Sequence, residues 1–141
     1  MSLEKLQEIR ERRLDKQRKE VQRTKDTMIT AEQKLEQCRL DLANYHQWRL
    51  NHQEDLFKGL QGQASTPQAM FEYRAKIEKL AQEEEQLKTV ITQAQEELKA
   101  TQESFSQARK IANELALKNE KTKEIIEIQE KAELELMRAK E

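Results

Sequence analysis

Apolar residues recur along most of this chain at alternating steps of three and four, a period that allows little besides helices packed along their length. In the second part of the sequence the stripe runs Met70, Tyr73, Ile77, Leu80, Leu87, Ile91, Ala94 and Leu98. It continues through Thr101, Phe105, Ala108, Ala112, Leu115, Asn119, Thr122 and Ile126 toward Leu136. In the first part, Leu14, Val21, Met28, Leu35, Leu42 and Leu56 fall seven or fourteen apart, with Thr24, Ala31, Cys38 and Tyr45 in the alternate seam positions. One strong breaker separates the two stripes: the segment from Gly59 to Pro67 holds both glycines and the only proline. Glycine there permits a positive φ at a helix stop, and Ser65 or Thr66 can cap a new helix whose first residue is Pro67. The expected fold is all-α, a long antiparallel two-helix coiled-coil hairpin forming one unit over residues 1–141. Helix one is expected over about 3–58, the turn over about 59–66 and helix two over about 67–141.

Composition excludes most alternatives. Charged residues make up 38% of the chain, hydrophobic ones 35% and aromatics 4%, too little apolar material for a globular core of this length but enough for a two-helix seam. No apolar run approaches the length of a membrane span, and the start Met-Ser-Leu-Glu-Lys has no signal-peptide core, so a soluble, cytoplasmic chain is expected. The single Cys38 cannot form an internal disulfide and reads as a small hydrophobe filling the seam.

Folding the chain at the breaker sets Leu35 near Ile91, Val21 near Phe105 and Gln7 near Asn119. Helix one then runs out near Lys123. Beyond it Ile125, Ile126, Ile128, Ala132, Leu134, Leu136 and Met137 have no intramolecular partner, and a stripe of this kind marks a protein contact or a frayed end.

Charge and aromatics are unevenly placed. Residues 1–25 carry Lys5, Arg10, Arg12, Arg13, Lys16, Arg18, Lys19, Arg23 and Lys25 against five acids, whereas residues 78–103 are acid-rich. The basic stretch reads either as a solvated face with local pairs such as Glu8 with Arg12, or as a steering surface for carboxylates or phosphates. Interleaved acids and the absence of stacking aromatics near it argue against nucleic acid. Tyr45, Trp48, Phe57, Phe71 and Tyr73, with His46 and His52, cluster in sequence around the turn. These rings are expected to plug the hairpin tip, with Trp48 beside the seam as a possible protein anchor.

Catalytic and metal chemistry have no footing. His46 and His52 are not spaced to share one helical face, no Cys or carboxylate cluster completes a metal site, and no glycine-rich phosphate loop is present. The run Glu83-Glu84-Glu85 is expected to lie open to solvent, where nothing raises a carboxyl pKa for acid–base work. An enzyme is not expected, nor a cofactor or metal.

A basic heptad helix containing Arg-Arg-Leu-Asp-Lys-Gln-Arg-Lys-Glu (Arg12 to Glu20), a short Gly-Pro turn and a longer Gln- and Glu-rich returning helix resemble the stalk proteins of bacterial type III secretion, called YscO in injectisomes and FliJ in flagella. The resemblance covers the whole chain and is architectural. It implies a fold like the central stalk of rotary ATPases, with the termini entering a hexameric secretion ATPase and the other end reaching an export gate protein or secretion chaperones. On that reading the chain is peripheral to the membrane, at the cytoplasmic face of the apparatus, through its partners only. From exposure and charge, Arg10, Arg12, Arg13, Arg18, Ile125, Ile126 and Ile128 are the expected ATPase contacts, and Trp48, Phe57 and Phe71 the expected gate or chaperone contacts. A generic coiled-coil tether or bundle subunit is the alternative.

Overall fold

The computed structural model describes residues 2–62 and 66–141. Two helices account for nearly all of them, α1 over Leu3–Gln61 and α2 over Pro67–Lys140, and no strand occurs among the described residues. Both helices start on a hydroxyl cap. The Ser2 Oγ accepts the Lys5 N–H at 3.2 Å and the Thr66 Oγ1 accepts the Ala69 N–H at 3.0 Å, each satisfying a donor that the first turn leaves without a helical partner. Pro67, next to the Thr66 cap, lacks only an N–H that would have been an orphan there. Arg138 and Lys140 in the last turn of α2 favour its negative dipole end.

The end of α1 differs from expectation. The helix passes through Gly59 to Gln61, and the Gly62 N–H bonds the Lys58 carbonyl at 3.2 Å. No described residue has a positive φ, so the stop does not use a left-handed glycine. A helical glycine costs about 1 kcal/mol relative to alanine. Half-buried Leu60, one seam step beyond Leu56, extends the apolar contact past it. The alternative cap, Ser65, lies outside the described residues.

The chain divides into two compact units, residues 1–28 with 101–141, and residues 29–100. In each, a stretch of α1 pairs antiparallel with a stretch of α2. The unit of residues 29–100 is cored by Ala31, Leu35, Leu80 and Ala94, all at most 7% exposed. The unit that carries the termini is cored by Leu14 and Ala108 together with buried Thr24, Asn119 and Thr122. Gln7 donates to the Asn119 Oδ1 at 2.8 Å, the pairing that folding at the breaker anticipates. Burial in α2 ends at Ile126, and every residue from 127 to 141 is exposed, so the seam does not reach Leu136. The reason is in the sequence: the next seam positions hold Gln129 and Glu133.

Among the described residues the local ion pairs are Asp15 with Arg18 at 3.8 Å, Glu20 with Arg23, and Glu54 with Lys58 at 3.2 Å, and Glu8 does not pair with Arg12. All are exposed and add little, because water screens them and their long side chains must be held still.

Candidate interaction surfaces

In the unit carrying the termini, the basic residues separate into two kinds. Arg10 occupies a seam position of α1, seven residues before Gln17 and fourteen before Thr24. Its guanidinium crosses to α2, donating to the Lys118 carbonyl at 3.0 Å and to the Thr122 hydroxyl. Thr122, 1% exposed, in turn donates to the Lys118 carbonyl at 3.0 Å. Gln17 donates to the Ala108 carbonyl at 3.0 Å. These side chains tie α1 to backbone and hydroxyl acceptors of α2. Arg10 therefore does not belong to an open basic face; a charged side chain on the seam is held where hydrogen bonds replace its water. Arg12, Arg13 and Arg18 are exposed.

The three isoleucines separate in the same way. Ile126 continues the seam and is half-buried, whereas Ile125 and Ile128 are 48% and 66% exposed. Ile125 and Ile128 thus share an outer face with which Ile126 is not aligned.

In the unit of residues 29–100, the rings do not plug a tip. Trp48 is half exposed, stacked on His52 with centroids 4.7 Å apart and tilted against Tyr45 at 5.5 Å. Phe57 leans on Tyr73 at 6.5 Å, and Phe71 is 74% exposed. Trp48 and Phe57 lie about two and a half turns apart, on opposite sides of α1, so they do not form one patch. Of the five rings only Tyr45 and Tyr73 fall on the seam.

The seam of this unit also holds a polar cluster. Glu84 occupies the seam slot between Ile77 and Ile91 and is buried, contrary to the expectation that the Glu83-Glu84-Glu85 run is open. One of its oxygens lies 2.5 Å from the His46 Nδ1, and the other accepts from Arg49. The hydrogen bond from His46 holds the Glu84 carboxyl below the usual carboxylate range; burial opposes this, and the charge of Arg49 reinforces it. Beside it the Tyr45 hydroxyl meets the Leu80 carbonyl at 3.1 Å and donates to Glu83 at 2.8 Å. Burial, with Glu83 adding to it, pushes the Tyr45 hydroxyl up to about 12. Engaged by His46 and Arg49 at once, the Glu84 carboxylate ties α2 to α1 across the seam. Heptad counting marks both Arg49 and Glu84 as seam residues; the missed signal is that two misplaced polar residues of opposite charge complement each other.

Among the described residues, no group of three or more His, Cys, Asp or Glu side chains is arranged to hold a metal ion, and no helix is long and apolar enough to cross a membrane.

No curated protein matches this chain. The crystal structure of the type III secretion protein YscO from Vibrio parahaemolyticus is similar, with a TM-score of 0.62 and 24% identity, covering 98% of this chain and 91% of that one. At that identity the likeness concerns the fold, and it agrees with the paired helices described above. The family model described as type III secretion protein YscO matches residues 3–141. A match over almost the whole length shows that the chain belongs to the YscO family of type III secretion proteins.

Proposed function

We propose that the protein is a non-enzymatic stalk of a bacterial type III secretion apparatus, binding the hexameric export ATPase through the unit that carries its termini and linking it to the export gate or to secretion chaperones at the cytoplasmic face. The observation that carries this reading is the pairing, in one unit, of exposed Arg12, Arg13 and Arg18 on α1 with exposed Ile125 and Ile128 on α2. Clustered cations raise the rate of encounter with an acidic surface, and apolar burial prolongs the contact once made. Trp48, Phe57 and Phe71, in the other unit, supply separate ring contacts for a gate or chaperone partner.

Co-purification with the cognate hexameric ATPase tests the reading. Reversing Arg12, Arg13 and Arg18 to Glu slows association and flattens its dependence on salt, whereas truncation after Lys123 mainly speeds dissociation. Binding that survives both changes and is abolished by Trp48→Ala assigns the ATPase to the aromatic unit instead. A chain that captures no ATPase in any form is a structural tether.

A further inference from the structure

Positions flanking the seam are where an antiparallel helix pair ordinarily matches opposite charges, and the unit of residues 29–100 does so with Lys34 and Glu97 at 2.9 Å. Three heptads earlier in α1 and three later in α2, the same positions hold Arg13 and Lys118. Like charges therefore face each other across one side of the seam in the unit carrying the termini. Lys16 and Lys121, each three residues on, add a second cation from either helix to that side. All four are exposed, and none takes part in an ion pair among the described residues. The acids on this side are Glu20, already held by Arg23, and Glu114. On the opposite side of the same seam, Glu11 meets Lys123 at 3.9 Å and Asp15 meets Arg18 at 3.8 Å, so the imbalance is confined to one side.

Contacts within the unit place these cations together. Arg13, Lys16, Gln17, Glu20 and Leu115 line a cleft of about 380 Å³, which sets the α1 cations beside a half-buried leucine of α2. Arg10, one turn before Arg13, bonds the Lys118 carbonyl at 3.0 Å. Apolar residues of the same side flank the cluster, with half-buried Leu6 and 48% exposed Ile125 beyond it and 37% exposed Ile111 before it. Ile111 and Ile125 are fourteen residues apart, about 21 Å along α2 or roughly four turns. Cations so placed repel one another and do not help the two helices pair. A ligand that brings carboxylates between them replaces that repulsion with attraction.

We propose that this side of the unit carrying the termini is a docking groove for an acidic amphipathic helix of a partner. The helix, about four turns long, sets carboxylates among Arg13, Lys16, Lys118 and Lys121 and buries apolar side chains on Ile111 and Ile125. A second copy of the same side would bring cations against cations. No aromatic side chain stands among these residues to stack on a base, and a groove between two helices fits a third helix better than a flat lipid surface. That the partner belongs to the secretion machine rests on the reading in the preceding subsection, whereas the chemistry of its helix rests on these residues alone.

The test uses the full chain and two fluorescent designed peptides, followed by anisotropy: an amphipathic helix with leucines at both ends and glutamates between, and a scrambled peptide of the same composition. The amphipathic peptide binds the wild-type chain, and binds about tenfold or more weakly to the Arg13→Gln/Lys118→Gln and the Ile111→Ser/Ile125→Ser variants. Lys25→Gln/Lys123→Gln removes as much charge from the opposite side of the seam and leaves binding within about twofold. Added salt weakens the contact. Melting followed by circular dichroism separates binding from folding, because Arg13→Gln/Lys118→Gln relieves a repulsion and melts no lower than the wild type. Unchanged binding in either of the first two variants, equal loss in the two charge variants, or a lower melting temperature of Arg13→Gln/Lys118→Gln overturns the proposal. Equal binding of the scrambled peptide or no binding of the amphipathic one overturns it as well. So does binding to phosphatidylglycerol vesicles or a single-stranded oligonucleotide as tight as to the peptide and lost in Arg13→Gln/Lys118→Gln, or self-association lost in that variant. No ATPase is present, so failure here leaves ATPase capture standing, and failed capture leaves the docking groove standing.

Discussion

The two units solve the same packing problem with different polar chemistry. In residues 29–100 the seam interrupts its leucines and alanines with a carboxylate held by His46 and Arg49. In the unit carrying the termini, interruptions fall on Gln7, Arg10, Gln17, Asn119 and Thr122, whose cross-helix bonds end on amides, a hydroxyl and backbone carbonyls. One of its cross-helix ion pairs, Glu11 with Lys123 at 3.9 Å, is about half exposed and weak for that reason. A seam tied by neutral acceptors is indifferent to acid, whereas one tied by a buried carboxylate is not.

The largest effect that sharpens this contrast is Leu35→Asp. It sets an uncompensated charge at a position 5% exposed, and a loss of about 3 kcal/mol or more is expected. Amide hydrogen exchange reads where the loss falls. Protection is expected to drop first in residues 29–100, and an equal drop in both units would show that they open together.

Glu84→Ala comes next. Arg49, with 19% of its side chain exposed, loses its acceptor in a half-dry site, so the cost is expected near the lower side of that for a fully buried pair, about 1–3 kcal/mol. Thermal melting measures it. An unchanged melting temperature would mean that the cluster contributes register and not stability.

Arg10→Ala is expected to cost less, about 1 kcal/mol, because the Thr122 hydroxyl keeps its bond to the Lys118 carbonyl when the guanidinium leaves. A larger loss than that of Glu84→Ala would reverse the comparison between the two seams.

Acid is a gentler probe of the same difference. The folded-state pKa of Glu84 lies below its ordinary value of 4.5, so the unfolded chain binds the proton more readily in that window. The stability this carboxylate contributes is therefore present above pH 4.5 and is lost as pH falls through the lowered value. Exchange protection in residues 29–100 is expected to fall in that range before protection around Gln7 and Asn119, and Glu84→Gln removes the difference. Smallest of all is Phe71→Ser, which changes an exposed ring and is expected to stay within about 0.5 kcal/mol in a melt.

Much of the hairpin was legible because a heptad repeats one instruction many times. Leu14, Leu35, Leu80, Ala94 and Ala108 are buried where their spacing puts them, and Thr66 caps α2 as its chemistry suggests. The end of α1 was less legible. Gly59 signals a stop, yet the local cost of a helical glycine is small beside the contact that Leu60 adds one seam step later.

The candidate surfaces are less legible in the sequence, because residue type and proximity do not say which way a side chain faces. Charge alone places Arg10 and Glu84 in solvent, although their positions in the repeat put them on the seam. Proximity in sequence groups Ile126 with Ile125 and Ile128, although one residue along a helix turns a side chain about 100° away. Size assigns the rings near the turn to packing, yet Phe57 and Phe71 are exposed, whereas Trp48, beside the seam by its spacing, is half exposed as that position implies.

By itself, the sequence determined that two helices pair along a seam, that the breaker between Gly59 and Pro67 reverses the chain, and that α2 outlasts its partner, because periodicity and chain geometry are properties of the order of residues. Only the tertiary structure decided which polar side chains are shared between the helices. Whether Arg10 finds Thr122 and Glu84 finds Arg49, or each turns to water, depends on what stands opposite, and that is fixed only when the second helix arrives.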